Sequence, residues 1–411
     1  MPNHQSRSLR LILPVALLLA ALVAIWLPLP LAVRLAGATL LAAFLPGYCL
    51  LQVMGRPVED RLTQLVLAVG VSFGLTIVGS LGLLYLAGYL STALLGGGLA
   101  LICLVLMVIG LRRSTPGPLA ERVDPYFFIP VTVAAFFSLT GLGYADYWGD
   151  EMNGLLRAIS IIGGRVETIF EHTKGPVEIL LPAVYGLLAG SFDPFTLRFP
   201  FALAYIAGVG GFFLLVRGLF NRYVALLASL ILALNGLYLA FGRLVQYQAV
   251  VFLMTGLALL LAWRFYRTGA VNALGLSLFL VGVGLLAHYD MLLVLPPLAY
   301  LIWRRFGWQR AAWRQAWPHL AASALILVVV TAGFYLPFWL HPHAEATSAY
   351  LARRISASGL VSNNFDQLYM FAVMYNSSYY VAFITLLGLG YLGVELARLG
   401  RARYADRKVR L

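Results

Sequence analysis

Charged residues are scarce in this chain, and acidic ones most of all. Only 11% of its 411 residues are charged and 16 are Asp or Glu, whereas 61% are hydrophobic. A soluble domain carries about 25% charged residues, so this composition excludes an ordinary soluble protein. Apolar runs of membrane-spanning length recur from residue 11 almost to the end and leave no room for a separate soluble domain. The sequence therefore predicts an all-α, polytopic integral membrane protein.

Cysteine is also nearly absent. Cys49 and Cys103 both lie inside apolar runs, where a free cysteine behaves as a small hydrophobic residue. No disulfide framework and no cysteine metal site is expected. The net charge of +13 does not indicate a nucleic-acid partner, because the arginines punctuate hydrophobic segments and form no continuous basic surface. They are typical of topology signals instead.

About twelve apolar segments are predicted to cross the membrane. They are 11–27, 30–54, 63–87, 90–111, 126–143, 199–216, 223–241, 249–263, 271–287, 291–303, 318–340 and 379–398. The stretch 177–191 is the doubtful one, because it has only about 15 residues and Glu178 and Pro182 interrupt it. Lys and Arg in short loops mark the cytoplasmic side. If 177–191 does not cross, 21 of the 29 basic residues lie there; if it crosses, 14 of these move outside and 7 remain.

The first arrangement is the better one, and it defines the predicted topology. Both termini are then cytoplasmic, the chain is a multi-pass protein of the plasma (inner) membrane, and 177–191 is an interfacial or re-entrant helix on the outer side. The two long polar loops, 144–198 and 341–378, share that outer face with 242–248 and 288–290. These four stretches carry 10 of the 16 acidic residues.

Polar side chains concentrate in two motifs of the first outer loop. YADYWGDEMNG, residues 144–154, brings three carboxylates within six residues, and EHTKGP, residues 171–176, adds a histidine and a lysine. Between them, 155–162 repeats apolar residues at helical spacing and predicts an amphipathic helix on the membrane surface. The candidate site residues are Asp146, Asp150, Glu151, His172 and Lys174, with Arg243, Gln246, Gln248, His288 and Asp290 at span ends on the same face.

These motifs occur in an order that resembles a known family. An acidic pair after a span, amphipathic helices, a lysine motif, and then SFDPFTLRFPFAL leading to RGLFNR are similar to the GT-C glycosyltransferases of the protein O-mannosyltransferase and aminoarabinose transferase type. The resemblance covers about 126–340. We therefore predict a GT-C-like glycosyltransferase module at 126–411, preceded at 1–125 by a four-span membrane module of unknown role.

The resemblance implies an enzyme that transfers a sugar from a polyprenyl-phosphate carrier to a lipid, glycan or protein acceptor on the non-cytoplasmic side. An acceptor hydroxyl must lose its proton as it attacks, which suits a positioned carboxylate. Asp150 matches the Asp of the family's acidic pair and is the predicted general base. Glu151 would hold the acceptor or a metal, and Asp146 is a second candidate for either role.

The leaving phosphate gains negative charge, so cations should lie close to it. Lys174 falls on the family's lysine, with His172 beside it and Arg243 as a third donor-phosphate contact. Gln246 or Gln248 stands where the family often has Asp, and His288 and Asp290 would take over that contact. Asp150, Glu151 and Asp290 offer oxygen ligands for a divalent cation such as Mg, Mn or Ca, although no His or Cys spacing adds to them.

Two other functions stay open. A transporter or flippase of lipid-linked sugars would also place polar groups in the membrane, usually near the midplane. The only charged residue well inside a predicted span is Arg34, and it lies near an outer end, which favours the enzyme. A catalytically inactive GT-C-like scaffold is the third reading, because of the glutamine departure. The expected partners are membrane lipids, the donor and an acceptor of unknown identity.

Overall fold

The computed structural model describes residues 4–55, 60–111, 123–171 and 174–356, and ten residues between 386 and 398. His172, much of the loop 341–378 and half of the predicted span 379–398 lie outside them. Every regular element of the described chain is helical, which confirms the all-α class.

The helices follow one another in this order: α1 (His4–Trp26), α2 (Leu31–Ala43), α3 (Leu45–Val53), α4 (Arg61–Ala87), α5 (Thr92–Leu111), α6 (Phe128–Leu139), α7 (Gly149–Ile162), α8 (Val177–Ala189), α9 (Pro194–Leu219), α10 (Arg222–Ala233), α11 (Gly236–Phe241), α12 (Gln248–Thr268), α13 (Val271–Ala287), α14 (Leu295–Phe306), α15 (Arg310–Leu340) and α16 (His343–Ser356). Short 3₁₀ turns cover Pro125–Phe127, Val166–Phe170 and Tyr289–Val294.

The chain forms two compact units. The first comprises 1–234 and 238–347 and contains the candidate site; the second comprises 235–237 and 348–411. In the second unit, the described residues between 386 and 398 are helical and exposed.

Six helical segments of the described chain are long and apolar enough to cross a membrane: 31–53, α4, α5, α9, α12 and α15. The first of these is α2 and α3, which meet at Phe44. The predicted number of about twelve spans is not confirmed, because several predicted spans are shorter helices. The predicted span 223–241, for example, is divided into α10 and α11.

An arginine near the end of α9 forms ion pairs with two other segments at one end of the first unit. Arg217 lies 3.2 Å from the Asp60 carboxylate, which caps α4, and 3.8 Å from the Asp124 carboxylate, which precedes α6. At the same end, the Asn272 amide of α13 donates to the Met54 carbonyl after α3. Residues before and after position 125 are thus joined at this end.

Small residues of α4 let it lie close to the later helices. An ideal Cβ at Gly70 would be 2.3 Å from Leu257 of α12, and one at Gly74 would be 2.7 Å from Phe279 of α13. Neither position accepts a side chain without repacking, as is usual where membrane helices approach closely. The helices before residue 125 therefore pack directly on the later ones, and the domain boundary at 125 stays a prediction.

The short helix α8 is surrounded by protein. At about 1.5 Å per residue its 13 residues span roughly 20 Å, less than the roughly 30 Å of a bilayer core. All of them except Leu187 are buried. Such burial satisfies the condition for a re-entrant helix, whose neighbours must be protein and not lipid. Its placement in a membrane stays a prediction.

The amphipathic helix α7 begins six residues earlier than the sequence pattern predicted. The Glu151 carboxylate in its first turn accepts a hydrogen bond from the Trp148 backbone N–H at 2.8 Å, which caps the helix start. Asp150 and Glu151 therefore lie in a helical turn and not in a loop. Gly154 faces α8, where an ideal Cβ would be 3.0 Å from the Glu178 carbonyl oxygen, so α7 crosses α8 at close range.

Candidate functional site

A buried ion pair lies beneath the acidic loop. The Glu151 carboxylate is inaccessible to solvent and accepts four hydrogen bonds. Oε1 accepts from Arg198 Nε and the Val245 backbone N–H, both at 2.9 Å, and Oε2 accepts from Arg198 Nη2 and the Trp148 N–H, both at 2.8 Å. A carboxylate has about four lone-pair positions, so these donors fill it.

Arg198 uses its remaining donors on the loop before α7. Its Nη1 donates to the carbonyls of Leu142 at 3.2 Å and Ala145 at 2.8 Å, and Nη2 donates to the Asp146 carbonyl at 2.9 Å. All five guanidinium N–H groups thus have acceptors. Glu151 was predicted to hold an acceptor or a metal. Because its lone pairs are already occupied, we assign it a structural role.

The neighbouring carboxylates are placed differently. Asp146 points its carbonyl at Arg198, while its side chain is exposed. Asp150 is exposed in the first turn of α7 and forms no hydrogen bond or ion pair with another described residue. Tyr144 and Trp148 beside it are also largely exposed. Asp150 is therefore an available carboxylate on a fixed backbone.

The loop that leads from α8 into α9 lies against the acidic loop. The Tyr147 hydroxyl donates to the Phe192 carbonyl at 2.9 Å; burial, with the nearby Asp193 charge, raises the pKa of Tyr147 to about 12. Although burial disfavours the charged form of Asp193, hydrogen bonds from Ser191 and Thr196 lower its pKa, and its carboxylate caps α9. These hydrogen bonds fix the loop just before α9, the helix that carries Arg198.

A second buried carboxylate is Glu178, in the first turn of α8. Its side chain is 1% exposed, and Oε1 accepts a hydrogen bond from the Tyr247 backbone N–H at 2.8 Å. The same oxygen lies 3.6 Å from Lys174 Nζ, whose side chain is 23% exposed. Lys174 Nζ also lies 4.9 Å from the centroid of the Tyr247 ring. Lys174 is thus held by a carboxylate and an aromatic face and remains accessible.

His288 and Asp290 join the same group. The His288 ring stacks on Tyr247 with centroids 3.9 Å apart and an interplanar angle of 7°. Its Nδ1 lies 3.0 Å from Asp290 Oδ2, whose side chain is 51% exposed. Gly175 fixes the lysine loop beside them, because an ideal Cβ there would be 1.8 Å from the Leu286 carbonyl oxygen. Lys174 and His288 therefore both contact the Tyr247 ring.

Two buried carboxylates bind one short backbone segment. Glu178 at the start of α8 accepts from the Tyr247 N–H, and Glu151, the partner of Arg198, accepts from the Val245 N–H, two residues earlier. The first turn of α8 and the ion pair of Glu151 with Arg198 are thus both bound to residues 245–247. We call this segment the anchor segment.

The two glutamines on the anchor segment and the start of α12 are neutral. Gln246 is buried, and Gln248 has a buried side-chain oxygen without a hydrogen-bond partner. Neither amide is able to serve as a base. Among the described residues, no group of three His, Cys, Asp or Glu side chains is placed to hold a metal ion. The divalent cation predicted at Asp150, Glu151 and Asp290 stays a prediction, although the hydrogen bonds to Glu151 leave only the two aspartates free to bind it. The contact of His172, which lies outside the described residues, also stays a prediction.

Arg243 was predicted to contact the donor phosphate, and its guanidinium is engaged elsewhere. It donates to the carbonyls of Phe137, of Thr140 at 2.8 Å and of Gly141 at 3.3 Å. These carbonyls are at the C-terminal end of α6, where a helix leaves acceptors unsatisfied. Its geometry is that of a helix cap.

We expect Arg243→Met to lower stability and to leave donor binding unchanged. Loss of charge-assisted bonds to helix-end carbonyls should cost about 1–3 kcal/mol, seen as a lower melting temperature in detergent. The Michaelis constant for a lipid-linked sugar should stay within about twofold of wild type, a difference of roughly 0.4 kcal/mol. A large rise in that constant with unchanged melting would restore the phosphate contact.

Sequence reasoning missed three residues that build the site: Arg198, Glu178 and Tyr247. Arg198 lies in the motif SFDPFTLRFPFAL, and a charged residue in an apolar run indicates that an oppositely charged residue is close to it in the fold. Glu178 stood only four residues after Lys174, a separation along the chain that allows their side chains to meet. Tyr247 gave no signal beyond its aromatic ring at a span end.

Comparison with known proteins identifies part of the chain. No curated protein and no solved structure matches it. One family model matches residues 173–335, and its description is dolichyl-phosphate-mannose-protein mannosyltransferase. The matched segment includes Lys174, Glu178 and the anchor segment but not Asp150. This family supports a membrane glycosyltransferase that uses a polyprenyl-phosphate-linked sugar. The match confirms the predicted resemblance: residues 173–335 are similar to the dolichyl-phosphate-mannose-protein mannosyltransferase family of the GT-C superfamily.

Proposed function

We propose that the protein transfers a sugar from a polyprenyl-phosphate carrier to an acceptor hydroxyl on the non-cytoplasmic side of the membrane, with Asp150 as general base. One observation carries the proposal. Asp150 and Lys174 stand next to two buried glutamates, and both glutamates bind the anchor segment, at Val245 and Tyr247. An accessible carboxylate and an accessible ammonium therefore lie on one rigid frame.

Each group has a defined part in the reaction. Asp150 accepts the proton of the acceptor hydroxyl as its oxygen bonds to the anomeric carbon. The bond between that carbon and the phosphate oxygen breaks, and its electron pair goes to the phosphate. Lys174 stabilises the added negative charge. Asp146 is the second candidate base, and His288 with Asp290 forms the second polar contact in place of the glutamines.

The basic residues support the proposed orientation. With α8 on the outer side, most Lys and Arg residues of the short loops lie in the cytoplasm, as do both termini. The ionisable groups of the site gather at one end of the helices, where an enzyme working on carrier headgroups needs them. A transporter usually places such groups near the midplane. We accordingly propose an enzyme of the inner membrane.

A donor assay tests this function. Purified protein in nanodiscs is incubated with radiolabelled polyprenyl-phosphate sugars, and release of labelled sugar to acceptor or water is followed. We expect turnover by wild type, and Lys174→Met should raise the Michaelis constant for the donor by about 10–100-fold, as loss of a charge-assisted contact does.

Arg165→Met is the matched control, because Arg165 is an exposed cation near the other end of α7 that donates to the Ser160 hydroxyl. Melting temperatures show whether each variant is folded. Absence of turnover with every donor, together with movement of labelled carrier across vesicles, would replace the enzyme by a flippase.

A further inference from the structure

The two buried glutamates beneath the site differ in how their charge is balanced. Glu151 is matched by Arg198, and both groups are saturated with hydrogen bonds. Glu178 is balanced by Lys174, at the longer distance of 3.6 Å. Of these two cations, Lys174 is the one that a ligand is able to reach, because 23% of its side chain is exposed against 4% for Arg198.

Three contacts place Lys174 beside Glu178. The next residue, Gly175, lies so close to the Leu286 carbonyl that an ideal Cβ would overlap it, so the loop is packed against the end of α13. The ammonium rests on the Tyr247 ring, and Glu178 is itself fixed by the Tyr247 N–H. A phosphate bound at Lys174 therefore shares that cation with the Glu178 carboxylate.

Sharing affects the two lipid phosphates unequally. The sugar donor is a phosphodiester with one negative charge. The spent carrier is a monoester, which carries about −1.5 to −2 near pH 7, as phosphorylated side chains do. Coulomb repulsion from Glu178 grows in proportion to ligand charge, so it acts more strongly on the spent carrier. Without it, Lys174 would hold the product more tightly than the donor and slow each cycle.

We propose that Glu178 is a positioning residue that promotes release of the spent polyprenyl phosphate by sharing Lys174 with it. This inference rests on the proposed function. The step is a dissociation and involves no covalent change: the lipid phosphate leaves and the ion pair between Lys174 and Glu178 is restored. In enzymes whose product release limits turnover, such a residue raises kcat.

The decisive variant is Glu178→Gln. The amide oxygen still accepts the Tyr247 N–H, so the anchor segment is kept while the charge is removed. We expect binding of radiolabelled polyprenyl monophosphate in nanodiscs to tighten by about tenfold, or roughly 1.4 kcal/mol. Because the donor has about half the charge, its Michaelis constant should fall by only about threefold. A purely structural role would not separate these two constants.

Two variants serve as references. Glu167→Gln removes an exposed carboxylate near the same loop and should change neither constant. Lys174→Met should weaken polyprenyl monophosphate binding, and Glu178→Gln should have less effect in that background, since the shared cation is gone. If product affinity is unchanged or weaker in Glu178→Gln while wild type transfers sugar, the release role is overturned.

Wild type alone provides a test that does not depend on the folding of a variant. It should bind polyprenyl monophosphate and its singly charged methyl ester with affinities within about threefold, whereas an uncompensated lysine would prefer the monoester by about tenfold or more. A strong preference for the monoester would overturn the release role. A wild type that neither transfers sugar nor binds polyprenyl monophosphate would instead overturn the proposed function.

Discussion

Asp150→Asn should lower the turnover number for sugar transfer by about 10²- to 10⁴-fold, the usual contribution of a general base. Its amide cannot take the proton of the acceptor hydroxyl. The side chain is exposed and forms no bond with another described residue, so the melting temperature should equal that of wild type. Turnover is measured with the labelled donor in nanodiscs, over saturating donor and acceptor concentrations.

Asp146→Asn is the matched control for this loss. Asp146 is an exposed carboxylate four residues earlier, and its backbone carbonyl, not its side chain, binds Arg198. We expect it to keep most activity. If Asp146→Asn loses turnover and Asp150→Asn does not, the base is Asp146; if neither variant loses turnover, the site has no aspartate base at this loop.

Breaking the buried pair should have the largest effect on stability. Glu151→Gln or Arg198→Met leaves one charge buried without its counterion, which costs about 3–5 kcal/mol. We expect a markedly lower melting temperature and poor expression for each single variant. The double variant Glu151→Leu with Arg198→Met removes both charges and should recover part of the loss, as replacement of whole buried ion pairs often does.

The same variants decide between two roles for Glu151. A catalytic carboxylate would lose turnover when replaced by Gln and would melt like wild type. The geometry leads us to expect the opposite result. The melting temperature should fall, and activity should be lost only in proportion to the fraction of unfolded protein. Glu171→Gln, which changes an exposed glutamate in the following loop, provides the reference for a carboxylate outside the pair.

Hydropathy was enough to predict the helical class and several long helices. A long apolar segment indicates burial or lipid contact by its own composition, without knowledge of the residues that it contacts. Charge counting placed α8 apart from the spans, and the structure gives it the length and burial of a helix enclosed by protein. The sequence did not place Glu151 in the first turn of α7, because its partner Arg198 lies 47 residues later and only the fold brings the two together.

In the candidate site, contacts between residues close in the sequence were predictable and contacts between distant residues were not. Lys174 and Glu178 are four residues apart, so their pairing was readable from the chain itself. The Val245 N–H reaches Glu151 across 94 residues, and the three carbonyls that occupy Arg243 lie more than 100 residues before it. Contacts over such separations depend on how helices pack, which a single sequence does not specify. The sequence therefore did not indicate that Arg243 caps α6, and its contact with the donor phosphate stays a prediction.

The close packing of α4 against α12 and α13 limits where the chain can be shortened. Trimming the polypeptide at residue 125 would strip away the surfaces that cover Leu257 and Phe279, and it would separate Arg217 from Asp60. A shortened chain would expose a groove on α12 and α13 that fits the glycine backbone of α4 and not lipid acyl chains. Moving the segment after residue 125 onto another scaffold would therefore require the preceding helices as well, because they cover its inner surface.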